Sequence, residues 1–273
     1  LSNGFLLSAE SQSDKPKQVS LQTVPYTFEL KNLVEYLVPA LQAGARVLVI
    51  LNTVARVNEL FGRVESHPDI KREWLFSCSG HICPHHGRFA PQDRVLLDKA
   101  ITTQFGKGSP SGPLLLVGSQ TLEQSLDIDA DLLITDLVPS DVLLQRIGRL
   151  HRHRRQRPEG YNDAKCIVVV PNHSLEEALD GKGDVIGKFR KVGFGSVYED
   201  LRTLERTWQS IEEFTEIEVP RDNRKLVELA THPESLSLLN SKKWEAHAQS
   251  IEGKSTARAI AAHTVINTYD KYF

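Results

Sequence analysis

The stretch RVLVIL at residues 46–51 is a continuous apolar run of the kind that forms a strand buried on both faces of a sheet. Asn52 and Thr53 follow it and suit the N-cap of a helix, which we expect over residues 54–64. Further apolar runs lie at 114–117, 132–135 and 166–170, with helix-prone segments between them. Strands that alternate with helices predict an α/β fold, in which helices cover both faces of a parallel sheet.

Outward from this centre, the same patterns predict the remaining elements and the domain limits. The additional predictions are strands at 21–26 and 74–77, and helices at 28–43, 92–104, from 142, 199–213 and 224–228. Residues 1–20 are polar and predict a linker or disordered arm. We therefore expect a parallel-sheet domain over 21–172 and a mainly helical extension over 173–273.

Composition limits the class of protein. The chain has 273 residues, of which 40% are hydrophobic and 25% charged, as in ordinary globular proteins. Its formal net charge is −2, so any nucleic-acid binding must depend on local basic patches. No apolar run is long enough for a membrane span and no secretion signal is present, so no membrane partner is expected.

The three cysteines form no disulfide framework, which fits a reducing cytoplasm. The first residue is Leu1 and methionine is absent, so we expect an internal fragment or a processed chain.

Polar segments follow three of the predicted strands. They are Asn52-Thr53, residues 119–129 (SQTLEQSLDID) and residues 145–155 (QRIGRLHRHRR). Ligands of open parallel sheets bind at the carboxyl ends of the strands, so we expect these segments to build one site.

The third segment has a specific arginine spacing. Arg146, Arg149 and Arg152 recur every three residues and would share one face if the helix continued through them. Gly148 permits close backbone approach there. Several guanidinium groups aimed in one direction suit a triphosphate. The alternatives are a solvated basic face or a simple patch for a phosphate backbone.

The second and third segments resemble motifs V and VI of superfamily 2 helicases. More narrowly, TLEQSLDIDADLLITDL followed by DVLLQRIGRLHRH closely resembles the signature helicase–nuclease of type I CRISPR systems. His86-Gly87-Arg88-Phe89 with Asp93-Arg94 is similar to an element of that family in which Ser more often stands at Gly87. The likeness covers roughly residues 21–170 and is most specific at 119–155.

This resemblance implies a RecA-like fold, the second motor domain of a DExH-type helicase, and a role for each matching residue. Arg149 and Arg152 would be the γ-phosphate arginines, with Gln145 and Gly148 also at the nucleotide. Asp127 would match the motif V acid near the ribose and the attacking water. Glu123 and Asp129 are weaker candidates, because acids in such turns often only cap helices.

The resemblance also implies DNA contacts, cofactors and partners. The residues expected along the DNA path are Thr53, Arg88, Ser119, Gln120 and Thr121. ATP and Mg²⁺ would be held mainly by a first motor domain that this sequence does not contain. The implied partners are single-stranded DNA, an RNA-guided CRISPR surveillance complex, and a first RecA-like domain and HD nuclease domain on the same or a companion chain.

Several expected catalytic elements are missing from the sequence. It has no Asp-Glu dipeptide for a DExH box and no His-Asp dipeptide for the HD nuclease. Residues 248–255 (AQSIEGKS) match a relaxed phosphate-loop pattern, but polar, helix-like sequence precedes them instead of a buried strand. We therefore predict that this chain alone does not hydrolyse ATP.

Two further patterns are better explained without a metal or a catalytic role. Cys78 and Cys83, with three nearby histidines, resemble a zinc site, but there is no second cysteine pair and no metal is expected. His85-His86 is better explained by the DNA-facing loop that the resemblance implies. Cys166, Trp208 and Trp244 are expected in the core.

Two other functions stay open from the sequence alone. The first is the second motor domain of a DExH helicase that acts on RNA or on repair intermediates, which the long match over residues 119–155 argues against. The second is a non-catalytic docking module, against which the intact Gln145, Arg149, Arg152 and Asp127 weigh.

Overall fold

A six-stranded sheet organises the computed structural model, which describes residues 16–25, 30–123 and 126–269. The strands of this sheet are β1 (Lys17–Pro25), β2 (Arg46–Ile50), β5 (Leu114–Gly118), β6 (Leu132–Asp136), β7 (Ala164–Val170) and β8 (Glu216–Val219). The strand order is β5-β2-β6-β7-β1-β8, and only β8 is antiparallel to its neighbour. A separate short hairpin contains β3 (Ser77–Cys78) and β4 (His81–Ile82).

Nine α-helices accompany these strands in the described part of the chain. They are α1 (Val34–Gln42), α2 (Val54–Glu65), α3 (Pro91–Phe105), α4 (Ser140–Ile147), α5 (Gly187–Arg190), α6 (Leu201–Glu213), α7 (Asn223–Thr231), α8 (Pro233–Leu236) and α9 (Lys242–Tyr269). Short 3-10 turns lie at Lys31–Leu33, Arg72–Trp74, Gln120–Glu123 and Leu175–Ala178. No helix among the described residues is both long and apolar enough to cross a membrane.

The central strands are buried as their sequence predicts. Every residue of β2 and β6 is buried, because helices cover both faces of the sheet. Thr53 is the N-cap of α2, and its hydroxyl accepts a hydrogen bond from the amide of Arg56 at 3.4 Å. The predicted parallel sheet is therefore confirmed, and so is the mainly helical character of the C-terminal part.

Two local predictions are wrong. Residues 74–77 do not form a strand of the sheet, because Arg72–Trp74 is a 3-10 turn and only Leu75 makes an isolated parallel bridge, to Leu115. The polar composition predicts a linker at 17–20, but these residues form the first half of β1, which pairs with both β7 and β8. Pairing on both sides overrides the polar composition of this segment. The rest of the expected arm, residues 1–15, lies outside the described residues.

The helix α4 ends earlier than the arginine spacing requires. Its last residue is Ile147, and Gly148 follows as the C-cap. The Lys17 ammonium group donates to the carbonyl oxygens of Ile147 at 2.9 Å and Leu150 at 2.6 Å, and so satisfies groups that a helix end leaves free. Arg149 and Arg152 therefore lie beyond the helix and do not share a helical face with Arg146.

Part of the predicted C-terminal extension packs onto the same sheet. β8 extends the sheet at β1, while α6 contacts β1 and α7 contacts both α4 and α6. Trp244 of α9 is buried, as expected, whereas Trp208 of α6 is only half-buried. Cys166 of β7 is fully buried, and burial raises the pKa of its thiol to about 12.

Candidate functional site

The predicted site residues separate into two groups at opposite ends of the sheet. Thr53, Ser119 and Thr121 follow the carboxyl ends of β2 and β5, as expected. Asp127 and Arg152 instead lie near the start of β6 at Leu132, because Asp129 binds the backbone of Arg152 and Asp127 contacts its side chain. A five-residue strand is about 16 Å long, so the expectation of a single crevice is wrong.

We define two clusters, each of which contains predicted site residues and the neighbouring side chains that contact them. The strand-end cluster contains Thr53, His85, Asp98, Ser119 and Thr121. The arginine cluster contains Asp127, Asp129, Asp131, Arg149, Arg152, His153, Arg155 and Arg157.

Arg152 is the more exposed of the two predicted γ-phosphate arginines. Its side chain is 42% exposed, and its Nε lies 3.2 Å from Oδ1 of Asp127. The same oxygen lies 2.6 Å from Nε2 of His153, and the amide of Lys107 donates to Asp127 Oδ2 at 2.9 Å. Burial raises the pKa of Asp127, but these partners outweigh it and hold the pKa below its usual value. Asp127 is therefore a fixed carboxylate beside an accessible guanidinium group.

The backbone that bears Arg152 is anchored by two buried aspartates. Oδ1 of Asp129 accepts from the amide of Arg152 at 2.8 Å. Arg155 and Arg157 each pair with both Asp129 and Asp131, at distances of 2.7 to 2.9 Å. The irregular segment after α4 is thus held by four ion pairs, which the sequence alone did not reveal because these arginines resemble part of a basic run.

Arg149 is directed inward, unlike Arg152. It is 8% exposed, and its guanidinium group donates to the backbone carbonyl oxygens of Leu126 and, at 2.9 Å, Glu123. Burial lowers the pKa of Arg149. In this conformation Arg149 supports the loop that bears Asp127.

The other two nucleotide candidates lie on or beside α4. Gln145 is on the exposed side of the helix, whereas Arg146 on the other side is fully buried. Gly148 is half-buried and ends the helix.

A buried histidine organises the strand-end cluster. His85 is fully buried and makes an isolated parallel bridge to Gly118, the last residue of β5. Its Nδ1 lies 2.8 Å from the Thr121 hydroxyl and its Nε2 lies 2.9 Å from Oδ1 of Asp98 on α3. The Ser119 hydroxyl lies 3.3 Å from that of Thr121. Sequence reasoning assigned His85 to a DNA-facing loop and gave no sign of these partners.

The remaining DNA candidates are at the surface beside this cluster. Arg88 and Gln120 are exposed. A Cβ atom at Gly87 would stand 3.6 Å from the Thr121 methyl group, so the loop with Arg88 lies directly against Thr121. Thr53 donates its hydroxyl hydrogen to the carbonyl oxygen of Lys191 at 3.2 Å.

Arg146 connects the two clusters through the interior. Its guanidinium group pairs with Glu123 at 2.6 Å, and it also donates to Thr135 at 2.5 Å and to Asn52 at 3.3 Å. Glu123 follows β5 and Asn52 follows β2, so Arg146 ties the strand ends to the helix that leads to the arginine cluster.

Two further sequence patterns can be located in the structure. Residues 248–255 lie inside the continuous helix α9, so they form no loop that could surround a phosphate. Within the described ranges, no group of three or more His, Cys, Asp or Glu side chains could hold a metal ion.

Comparison with known proteins agrees with this architecture. Residues 43–155 match the family model of the C-terminal region of the CRISPR-associated nuclease/helicase Cas3. The Cas3 endonuclease/helicase of Thermus thermophilus is 42% identical over 144 residues, which are 52% of this chain and 14% of that protein. This chain therefore spans only a small part of that relative.

Solved structures give the same result. T. fusca Cas3 with ATP superimposes with a TM-score of 0.68 and 26% identity, over 91% of this chain and 27% of that one. A chain of a CRISPR RNA-guided surveillance complex before nicking superimposes with a TM-score of 0.59 and 25% identity, over 87% and 28% of the two chains. The sheet with its flanking helices is accordingly RecA-like. In its sequence match over residues 43–155 and in its fold, this chain is similar to the C-terminal motor region of Cas3 helicase–nucleases.

Proposed function

We propose that this chain is the second motor domain of an ATP-dependent translocase on single-stranded DNA, which acts in CRISPR interference against foreign DNA. The observation that supports this most is the state of Arg152, whose backbone is fixed by buried Asp129 while its guanidinium group stays accessible. A positive charge held in this way is what a developing phosphate charge requires at a motor interface.

In this proposal ATP and Mg²⁺ lie between this domain and a first RecA-like domain. Arg152 contacts the γ-phosphate, Asp127 lies near the ribose and attacking water, and Gln145 and Gly148 border the nucleotide. Arg149 shares the γ-phosphate role after it turns outward from the carbonyl groups that it now contacts. T. fusca Cas3 has been solved with ATP, which supports a nucleotide as the ligand.

The DNA strand is proposed to cross the other end of the sheet. Thr53, Ser119 and Thr121 supply hydroxyl groups there, and Arg88 and Gln120 are exposed beside them. Arg88 supplies a local positive charge there, which nucleic-acid binding requires in a chain whose net charge is −2.

The partners and domain limits are proposals of the same kind. We propose a motor domain that begins with β1 at Lys17 and extends to residue 172, followed by a linker and the start of an accessory domain over 173–273. The similarity to a chain of a surveillance complex supports recruitment by an RNA-guided complex, with an HD nuclease on the same or a companion chain.

The decisive experiment uses this chain together with a first motor domain of the family. Arg152→Ala should lower DNA-stimulated ATP turnover by about 10³ to 10⁵ while DNA affinity is retained, and Lys should not substitute for the planar guanidinium group. Arg154→Ala is the matched control, because Arg154 is an exposed neighbour in the same segment. Near-normal turnover of the Arg152→Ala protein would overturn this assignment.

The isolated chain provides a second test. We expect no DNA-stimulated ATP hydrolysis, because the only phosphate-loop-like segment of the sequence lies within α9. Turnover by this chain alone that Lys254→Ala abolishes would contradict the proposal.

A further inference from the structure

Four side chains of the strand-end cluster form a chain of hydrogen bonds. Ser119 contacts Thr121 at 3.3 Å, Thr121 contacts His85 at 2.8 Å, and His85 contacts Asp98 at 2.9 Å. Ser119 and His85 are buried, Thr121 is half-buried, and the Asp98 side chain is 41% exposed. The hydroxyl groups of Ser119 and Thr121 are therefore joined through the interior to one carboxylate at the surface of α3.

The chemistry of these groups fixes the direction of the hydrogen bonds. A carboxylate only accepts, so Nε2 of His85 bears the hydrogen that faces Asp98. In a neutral imidazole Nδ1 is then an acceptor, and Thr121 must donate its single hydroxyl hydrogen to it. Ser119 must consequently donate to Thr121. Each hydrogen in the chain points toward Asp98.

This direction is the wrong one for binding a phosphate. Phosphate oxygens accept hydrogen bonds, but the Thr121 hydroxyl hydrogen is already used by His85. If Nδ1 of His85 also bears a hydrogen, that nitrogen becomes the donor to Thr121, and the Thr121 hydroxyl can donate outward. Reversal at this one bond therefore requires one additional proton on His85.

We propose that a DNA phosphate binds at Thr121 together with one proton, which His85 takes up at Nδ1. The proton comes from solvent, and the bond from Nε2 to Asp98 is unchanged. This inference depends on the proposed DNA path, and it adds His85 and Asp98 to that path as positioning residues. It also explains why a titratable ring is buried directly beneath a predicted phosphate contact.

The groups around His85 are compatible with such a response. Burial lowers the pKa of His85 below its usual value, Asp98 acts to raise it, and Arg94 and His86 act to lower it. The neutral ring is therefore favoured at neutral pH in the free protein. A phosphate anion beside Thr121 favours the charged ring and raises the pKa of His85 in the complex.

The test is the pH dependence of binding of the 273-residue chain to an oligothymidine of about 12 nucleotides at constant ionic strength. Affinity should be highest at pH values where free His85 is already protonated. It should fall by up to about tenfold per pH unit as the pH rises from the free to the bound pKa of His85, and then become constant. Calorimetry in two buffers of different ionisation enthalpy should record uptake of about one proton inside this window.

Two variants separate this mechanism from a general effect of pH. His85→Asn places an amide N–H near the position of Nδ1, so DNA affinity should stay at its acidic value at all pH values. Asp98→Asn is the second variant, because Asp98 is partly exposed and its replacement does not threaten folding. The new amide can donate to Nε2 of His85, so DNA affinity should be high and independent of pH. In Thr121→Val, DNA affinity should be low and independent of pH. His81→Asn is the control, since His81 is exposed on β4 and should leave the profile unchanged.

The outcomes distinguish this inference from the function on which it depends. If the chain binds DNA with the same affinity at all pH values, or if Asp98→Asn and His85→Asn retain the full profile, proton coupling is wrong and the DNA path stands. If Thr121→Val leaves affinity unchanged at every pH, or if the chain binds no DNA, both proposals are overturned.

Discussion

Replacement of Asp129 is the most informative perturbation of the arginine cluster. The carboxylate is 1% exposed and accepts from Arg155 and Arg157 as well as from the backbone of Arg152. Asp129→Ala leaves both guanidinium groups to share Asp131 alone. Loss of one partner from a buried ion pair costs about 3–5 kcal/mol, and we expect about 3 kcal/mol because Arg155 stays partly exposed. That is a large fraction of the roughly 5–15 kcal/mol that stabilises a typical domain.

Urea unfolding of the full chain, followed by circular dichroism, measures this loss. Asp163→Asn is the control, because Asp163 is exposed and its replacement should change the free energy of unfolding by less than about 0.5 kcal/mol. Asp129→Asn should cost about 1–3 kcal/mol, since the amide oxygen still accepts while the charge is lost. A loss below about 1 kcal/mol for Asp129→Ala would refute the reasoning, because it would equal that of an exposed pair.

The same carboxylate predicts a defined pH dependence. Burial raises the pKa of Asp129, but the bonds from Arg157 and Arg155 outweigh it, and the pKa of the folded protein is lowered. The stabilisation is therefore fully present above the unfolded-state pKa of about 3.9 and is lost as the pH falls through the folded-state value. The difference in unfolding free energy between the wild-type protein and Asp129→Asn should be constant above about pH 5 and narrow below it.

Three further predictions concern other parts of the fold. Thr53→Ala should lower the free energy of unfolding by about 1 kcal/mol because the α2 cap is lost, whereas Thr53→Asp should retain the cap but repel DNA. Urea unfolding measures the first effect and oligonucleotide binding measures the second. Equal DNA affinity in both variants would argue against a contact at Thr53. Burial lowers the pKa of Lys17 to about 8, so the unfolded state binds more protons than the folded state above this pH. The free energy of unfolding of the wild-type protein should therefore rise relative to that of Lys17→Met by on the order of 2 kcal/mol between about pH 8 and 10. A constant difference between the two proteins would contradict this. Tyr198→Phe should lower the free energy of unfolding, measured by thermal unfolding, by about 1 kcal/mol, because Arg146 loses an acceptor at 3.3 Å. An unchanged free energy of unfolding would show that the other acceptors of Arg146 suffice.

The sheet could be predicted from the sequence because its strands are short, apolar and buried on both faces. The stretch at 46–51 and the run at 132–135 require no knowledge of distant residues. The edge of the sheet was harder to predict. Lys17–Ser20 are polar, and they become a strand only because β7 and β8, which are far away in sequence, pair with them.

The site could be predicted in its residue types but not in its geometry. Motif resemblance identified Asp127 and Arg152, which the structure brings together at 3.2 Å. The spacing of three arginines predicted a shared helical face, and this failed because Lys17, 130 residues from Ile147, helps to end α4. No local pattern in the sequence contains that information.

The burial of His85 was equally inaccessible to sequence reasoning. A His-His pair in a polar segment is typical of an exposed loop. His85 is instead buried, and it forms a single parallel bridge to Gly118 at the end of β5. Its partners, Asp98 and Thr121, come from segments that only the tertiary fold brings together.

The separation of the two clusters limits how they can influence each other. Physiological salt screens exposed charges over about 8 Å, which is roughly half the length of the strand between the clusters. An electrostatic signal from a bound DNA phosphate would therefore be weak at Arg152. If DNA and nucleotide bind at the two clusters as proposed, their coupling is therefore mechanical, through the strands, α4 and the buried Arg146. If so, the degree to which DNA accelerates the motor should vary little with ionic strength once DNA is saturating, even though DNA affinity itself changes steeply with salt.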